Sequence, residues 1–134
     1  MKKKLYCYAV INFKQAEEVI KTAKENNIKP IIFIKHSILN GFGVDWIKAL
    51  ISLLTKNFPR NSFELYVDCN KNYGFAIELI KIKINFIKLN TNAIISKKIN
   101  NIATKNKVLL NPSFNIVDLS NIKKISKKVM KNYY

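Results

Sequence analysis

The chain has 134 residues, 49% of them hydrophobic and 24% charged, with a formal net charge of +16. That length and apolar content fit one globular domain with a real core and exclude a disordered chain. No stretch is long and apolar enough to span a membrane, and the two cysteines, Cys7 and Cys69, are too few for a disulfide framework.

In chain order, Lys2-Lys3-Lys4 followed by Leu5–Ile11 mimics a signal peptide. The apolar run is short, however, meets Asn12 and Lys14, and lacks a small-residue cleavage site, so it reads as a first strand of a cytoplasmic protein. From Lys14 to Asn27 the period changes: Ala16, Val19, Ile20 and Ala23 share one helical face, with Glu17 and Lys21 spaced to pair outside it. Asn26-Asn27 and Pro30 stop that helix before a strand at Ile31–Ile34. His36 to Gly43 reads as a loop, with Gly41 and Gly43 giving backbone freedom.

A helix then runs from Asp45 to about Asn57, with Ile47, Leu50, Ile51 and Leu54 on one stripe and Pro59 beyond its end. Phe63–Val67 is a third strand, Tyr73 to Lys83 a third helix, and Phe86–Leu89 a fourth strand. Asn92 to Asn106 forms a fourth helix and Val108–Leu110 a short fifth strand closed by Asn111-Pro112. Phe114–Leu119 reads as irregular or a small edge segment. Ser120 is positioned to cap a last basic amphipathic helix carrying Ile122, Ile125 and Val129. The rhythm is β-α repeated: an α/β fold with about five parallel strands and right-handed crossovers.

In such sheets ligands sit at the carboxyl ends of the strands, which places Asp68, Cys69 and Asn70 where a site belongs. His36, the single histidine, follows the second strand, so His36, Cys69 and Asp68 are expected on one rim. Asp68 fits either an acid/base group or a turn cap, and Cys69 either a ligand or a small packed hydrophobe. Lys35 and Lys88 are the lysines placed to attract a phosphate. Tyr66 and Phe86 read as core.

The positive charge comes almost wholly from lysine, since Arg60 is the one arginine. The frequency of Lys, Asn and Ile is the usage an AT-rich genome imposes. The lysines run from Lys2 to Lys131, and specific readout of nucleic acid favours the arginine fork, so a solvated lysine surface is preferred to a nucleic-acid interface. The last helix is likewise read as a surface helix in preference to a membrane contact.

Several segments, taken in order, resemble a known family: Tyr8-Ala9-Val10 with Asn12-Phe13, Pro30-Ile31-Ile32-Phe33, Gly43 through Leu50, and Leu65-Tyr66-Val67-Asp68-Cys69-Asn70. They are similar to the N-terminal half of class II fructose-bisphosphate aldolases, zinc-dependent (β/α)8 barrels, in a shortened form such as occurs in bacteria. The resemblance extends to about Ser113. It implies that Asp68 matches the family's catalytic acid/base and that Cys69 stands where a zinc-binding histidine is found. It also implies that Lys35, His36 and Ser37 share the place of a substrate-binding serine, with Cys69 and Asn70 beside them.

Asn111-Pro112-Ser113 replaces the family's zinc-binding glutamate, and the strands carrying its other histidine ligands have no counterpart here. No metal or cofactor is therefore expected within the single chain, and aldolase turnover is not. The functional expectation is a non-catalytic or repurposed aldolase-like domain binding a small phosphate-bearing ligand at the Asp68 rim. The alternatives are a lyase whose site a second chain completes and a non-specific nucleic-acid-binding protein. Half a barrel would leave a bare inner face. Two arrangements cover it: a flavodoxin-like three-layer sandwich, preferred because the C-terminal helix is available, or a half-barrel closed by pairing of two chains.

Overall fold

The computed structural model describes residues 6–119. Six strands and four helices alternate: β1 (Tyr6–Ala9), α1 (Phe13–Glu25), β2 (Ile31–Ile34), α2 (His36–Thr55), β3 (Glu64–Asn70), α3 (Tyr73–Lys81), β4 (Phe86–Leu89), α4 (Ala93–Lys105), β5 (Leu109–Leu110) and β6 (Asn115–Asp118). The expected last helix from Ser120 lies outside the described residues.

Asparagine, abundant by composition, starts the helices. Asn12, Asn72 and Asn92 each accept a hydrogen bond from the backbone N–H three residues on, at 2.9 to 3.0 Å. Each such cap stabilises its helix by about 1 kcal/mol. At the other end, α1, α3 and α4 close with paired backbone bonds: Ile28 and Asn27 donate to Ala23 and Lys24, Ile84 and Lys83 to Leu79 and Ile80, Val108 and Lys107 to Ala103 and Thr104. This double closure puts the residue after the cap in the left-handed region. A lysine stands at or just past every helix end, Lys24, Lys56, Lys81 and Lys105, where it also complements the helix dipole.

Two expected boundaries change. His36 to Phe42 is helical rather than a loop, because Ile38 and Leu39 bury their side chains in the core. The resulting His36–Thr55 helix is, against expectation, long and apolar enough to cross a membrane by length and composition alone. Gly43 breaks that helix at φ 79°, a left-handed conformation that glycine adopts without penalty, and the helix resumes at Val44. The segment after Phe114 is a sixth strand paired with β1, with Cys7 opposite Ile116 and Ala9 opposite Asp118.

The sheet order is β5-β4-β3-β2-β1-β6, and every neighbouring pair is parallel. Right-handed crossovers that all step in one direction keep their helices on one face. The buried residues of α1 to α4 accordingly join Tyr8, Ile32, Ile34, Leu65, Val67 and Ile87 in one cluster. The opposite strand faces form a second cluster of Cys7, Ala9, Ile31, Phe33 and Tyr66, with Phe86 and Phe114 against it.

The β5–β6 link shows how the sheet must curve. Leu110 and Asn115 occupy opposite edges, about 24 Å apart in a flat sheet of strands about 4.8 Å apart. Five residues of extended chain reach only about 18 Å. The sheet therefore curls, and the link crosses its concave side. Phe114 packs edge-on against Phe86 at 5.0 Å and Tyr66 at 6.0 Å, and the Tyr66 hydroxyl donates to the Pro112 carbonyl at 3.4 Å. Phe33 adds a third edge contact, to Tyr66 at 5.0 Å.

The consecutive strand order with four helices on one face is an α/β layout consistent with a half-barrel. The C-terminal helix on which the three-layer sandwich rests lies outside the described residues. Among the described residues, the inner face is filled by the chain's own aromatic rings and strap, not by a helix. Rings at these separations each add about 0.5–1.5 kcal/mol per pair beyond their buried area.

Candidate functional site

β3 delivers the central residues. Alternation along it sends Leu65, Val67 and Cys69 toward the helices and Tyr66 and Asp68 to the concave face. Asp68 is half-buried, and its Oδ1 accepts the Asn70 backbone N–H at 2.8 Å. That bond holds a bulge: the pairing with β4 shifts between Asp68 and Asn70, and Asn70 sits at φ 51°. The Asn70 carbonyl then accepts from the Asn90 N–H at 2.7 Å, tying the ends of β3 and β4 together. Asp68 thus serves as a turn cap through one oxygen, while no described hydrogen bond engages Oδ2.

Lys88 lies directly across from Asp68 on β4, exposed and without an ion-pair partner among the described residues. An open cleft of about 550 Å3 begins here. Its floor is Tyr66, Phe114 and Ile116, and its rim carries Lys88, Asn90 and Ser113. Tyr66 is 3% exposed, and burial, with Cys7 and Asp68 adding, pushes its phenol from 10.0 up to about 12. Its hydroxyl donates to the Pro112 carbonyl, so it meets a ligand as a neutral ring.

The other expected residues divide. Lys35 reaches over β1, where the small side chain of Ala9 leaves room, and pairs with Asp118 of β6 at 2.5 Å. Its charge is committed to that bridge. His36 opens α2 half-buried and Ser37 is exposed; no described hydrogen bond or ion pair joins either to Asp68.

Cys69 does not belong to the rim: its side chain is fully buried on the helix side of the sheet. Burial, with Asp68 adding, pushes its thiol from 9.0 up to about 12, so it offers neither a ready thiolate nor a metal ligand. Asn70 contributes backbone geometry. Among the described residues, no three His, Cys, Asp or Glu side chains gather as a metal site requires. Asn111 spends both ends of its amide on the Leu89 backbone, at 2.8 and 3.1 Å.

Sequence reading found Asp68 and Lys88 but not the cleft that Lys88 borders. Phe114 and Ile116 join it only because the link and β6 fold back over the sheet. No periodic signal marks a four-residue strand that follows no helix.

No family model and no curated protein matches the chain. Among solved structures it is similar to the crystal structure of a candidate fructose-1,6-biphosphate aldolase from Coccidioides immitis. The TM-score is 0.62 at 9% identity, over 80% of this chain and 40% of that one. At that identity the likeness is one of fold, and the chain spans less than half the neighbour's length. The fold is distantly aldolase-like.

Proposed function

We propose that this chain is a small-ligand-binding domain derived from class II aldolases, holding a small anion such as a sugar phosphate on its concave face. Lys88, in register with Asp68 on the adjacent strand and bordering a cleft with an aromatic floor, carries this reading. A cleft of about 550 Å3 is the size of a small-molecule site. There the Lys88 ammonium attracts the phosphate, and Tyr66 and Phe114 cover the carbon backbone. Asp68, beside the lining, accepts through its second oxygen from a hydroxyl that extends toward it. Lys35, His36 and Ser37 flank the rim. Asn111, fastened to Leu89, and the buried Cys69 support binding over metal-assisted cleavage.

Thermal unfolding with and without dihydroxyacetone phosphate tests the reading, with sulfate at equal concentration as a charge control. A ligand that binds only the folded state at a hundredfold its Kd stabilises by about 2.7 kcal/mol, a rise of several degrees. The rise is expected with the sugar phosphate, and it should vanish in Asp68→Ala and in Lys88→Met. An equal rise with sulfate, or a rise that survives both substitutions, sinks the sugar-phosphate reading.

A further inference from the structure

Among the described residues, half of the lysines and arginine lie at one end of the sheet. Helices in this fold run opposite to the strands, so the helix ends bearing Lys24, Lys56, Lys81 and Lys105 gather at the pole where the strands begin. The turns leading into β2, β3, β4 and β5 add Lys29, Arg60, Lys83 and Lys107. Glu25 and Glu64 are the carboxylates nearest these turns, and Glu64 is already paired with Lys29 at 3.2 Å. Among the described residues the opposite rim mixes signs, with Asp45, Asp68 and Asp118 set among Lys14, Lys35, Lys48, Lys71 and Lys88 and two of those lysines in ion pairs.

We propose that this basic pole is a docking surface for the phosphate backbone of nucleic acid, at the far end of the sheet from the ligand cleft. Helix dipoles account for the lysines in the last turns, but not for Lys83 and Lys107. These stand at φ 60° and 59°, a left-handed conformation that disfavours any side chain and suits glycine. Neither has an ion-pair partner among the described residues. Two cations are thus held where the backbone alone would favour their absence.

Beside Lys83, with Lys107 outside it, lies an open cleft of about 410 Å3, lined by Lys29, Arg60, Asn61, Phe63, Ile82, Lys83 and Asn85. It has room for a phosphodiester. The turns themselves carry no large exposed hydrophobic side chain, and the exposed Leu53, Ile102 and Leu109 beside them are scattered singly, so charge dominates this end. Arg60 already donates to the Phe63 carbonyl and to Asn85 Oδ1, each at 2.9 Å, so it is not free for two-pronged reading of guanine. The binding is to backbone and indifferent to sequence.

Fluorescence anisotropy with labelled single-stranded and duplex oligonucleotides, across a salt series, tests this on the full chain. Lys83→Glu/Lys107→Glu is compared with Lys14→Glu/Lys71→Glu, which removes the same net charge near the opposite rim. The pole variant is expected to lose about tenfold or more in affinity and to flatten the salt slope by about 2, roughly 0.9 per phosphate contact. The rim variant should stay within about threefold of the parent. Lys83→Gly/Lys107→Gly relieves the backbone and serves as the variant certain not to fail through misfolding; its affinity must also fall. Equal losses at the two ends, or no binding near physiological salt, overturn the proposal. So does stronger, pole-dependent binding to phosphatidylserine vesicles than to oligonucleotides. The thermal shift with sugar phosphate reads the other end of the molecule, so the two proposals fail separately.

Discussion

The two ends of the sheet are built from different chemistry. Where the strands begin, polar groups are fastened to one another. Arg60 lies 5.0 Å over the Phe63 ring and donates to the Phe63 carbonyl, while Asn85 Oδ1 accepts from both Arg60 and the Leu65 N–H. Where the strands end, polar groups are left partly unengaged: Asp68 uses one oxygen, Lys88 has no described ion-pair partner, and Asn70 is bent into a bulge. The closed network around Arg60 stabilises the strand beginnings beneath Lys83 and Lys107, which are unpaired among the described residues. The groups around Asp68 and Lys88 are left for a ligand at the strand ends. Parallel α/β folds divide labour in this way, with stability at one face and chemistry at the other.

Arg60 offers the largest test of that division. Its removal forfeits two charge-assisted hydrogen bonds and a cation–π contact and strips a partner from the Phe63 carbonyl. Arg60→Ala should destabilise by about 3 kcal/mol in denaturant unfolding. Lysine, with no planar fork, should restore less than half of that loss. At the other end, Asp68→Ala removes one backbone bond and should cost about 1 kcal/mol while abolishing the ligand-induced shift. If Asp68→Ala costs more than Arg60→Ala, the assignment of stability to the strand beginnings is wrong.

Thiols probe the sheet between its ends. Cys7 lies on the concave side and Cys69 on the helix side, both fully buried. Burial, with Glu64 adding at Cys7 and Asp68 at Cys69, raises each from 9.0 to about 12. A raised pKa means that the folded chain keeps a proton the unfolded chain releases. This contribution is complete below about pH 9 and disappears as pH climbs toward 12. The unfolding midpoint should therefore fall over that alkaline range. Cys7→Ala/Cys69→Ala should fall less steeply, although Tyr66 still titrates there.

Much of this was legible in the sequence, and the losses have identifiable causes. The helices announced themselves by period, and Asp68 by its position after an apolar strand. Cys69 was misplaced because the strand was taken to end at Val67. Had it been carried through Asn70, alternation from Leu65 and Val67 would have turned Cys69 into the core. Gly41 and Gly43 hid the first part of α2, since glycine reads as loop until Ile38 and Leu39 are seen to be buried. The covering of the concave face was illegible for a stronger reason. It depends on a link too short to span a flat sheet, and that constraint exists only once the strand order is known. The charge pole lies between these cases: a lysine recurs at every helix end, but its meaning needs the helices to be aligned.

The smallest expected effect is also the one with opposite signs at two readouts. Relieving a left-handed side chain gains about 1–2 kcal/mol, and the added freedom of glycine in the unfolded chain takes back about 0.4–1. Lys83→Gly and Lys107→Gly should each therefore stabilise by about 0.5–1 kcal/mol, a shift of a few degrees in Tm. Each also deletes one pole charge and should weaken oligonucleotide binding. A gain in stability with a loss of binding means that these lysines are held against the backbone's preference by what they bind. A gain in stability with binding unchanged would leave composition alone as the reason lysine stands there, and the two ends of the sheet would then differ in packing but not in partners.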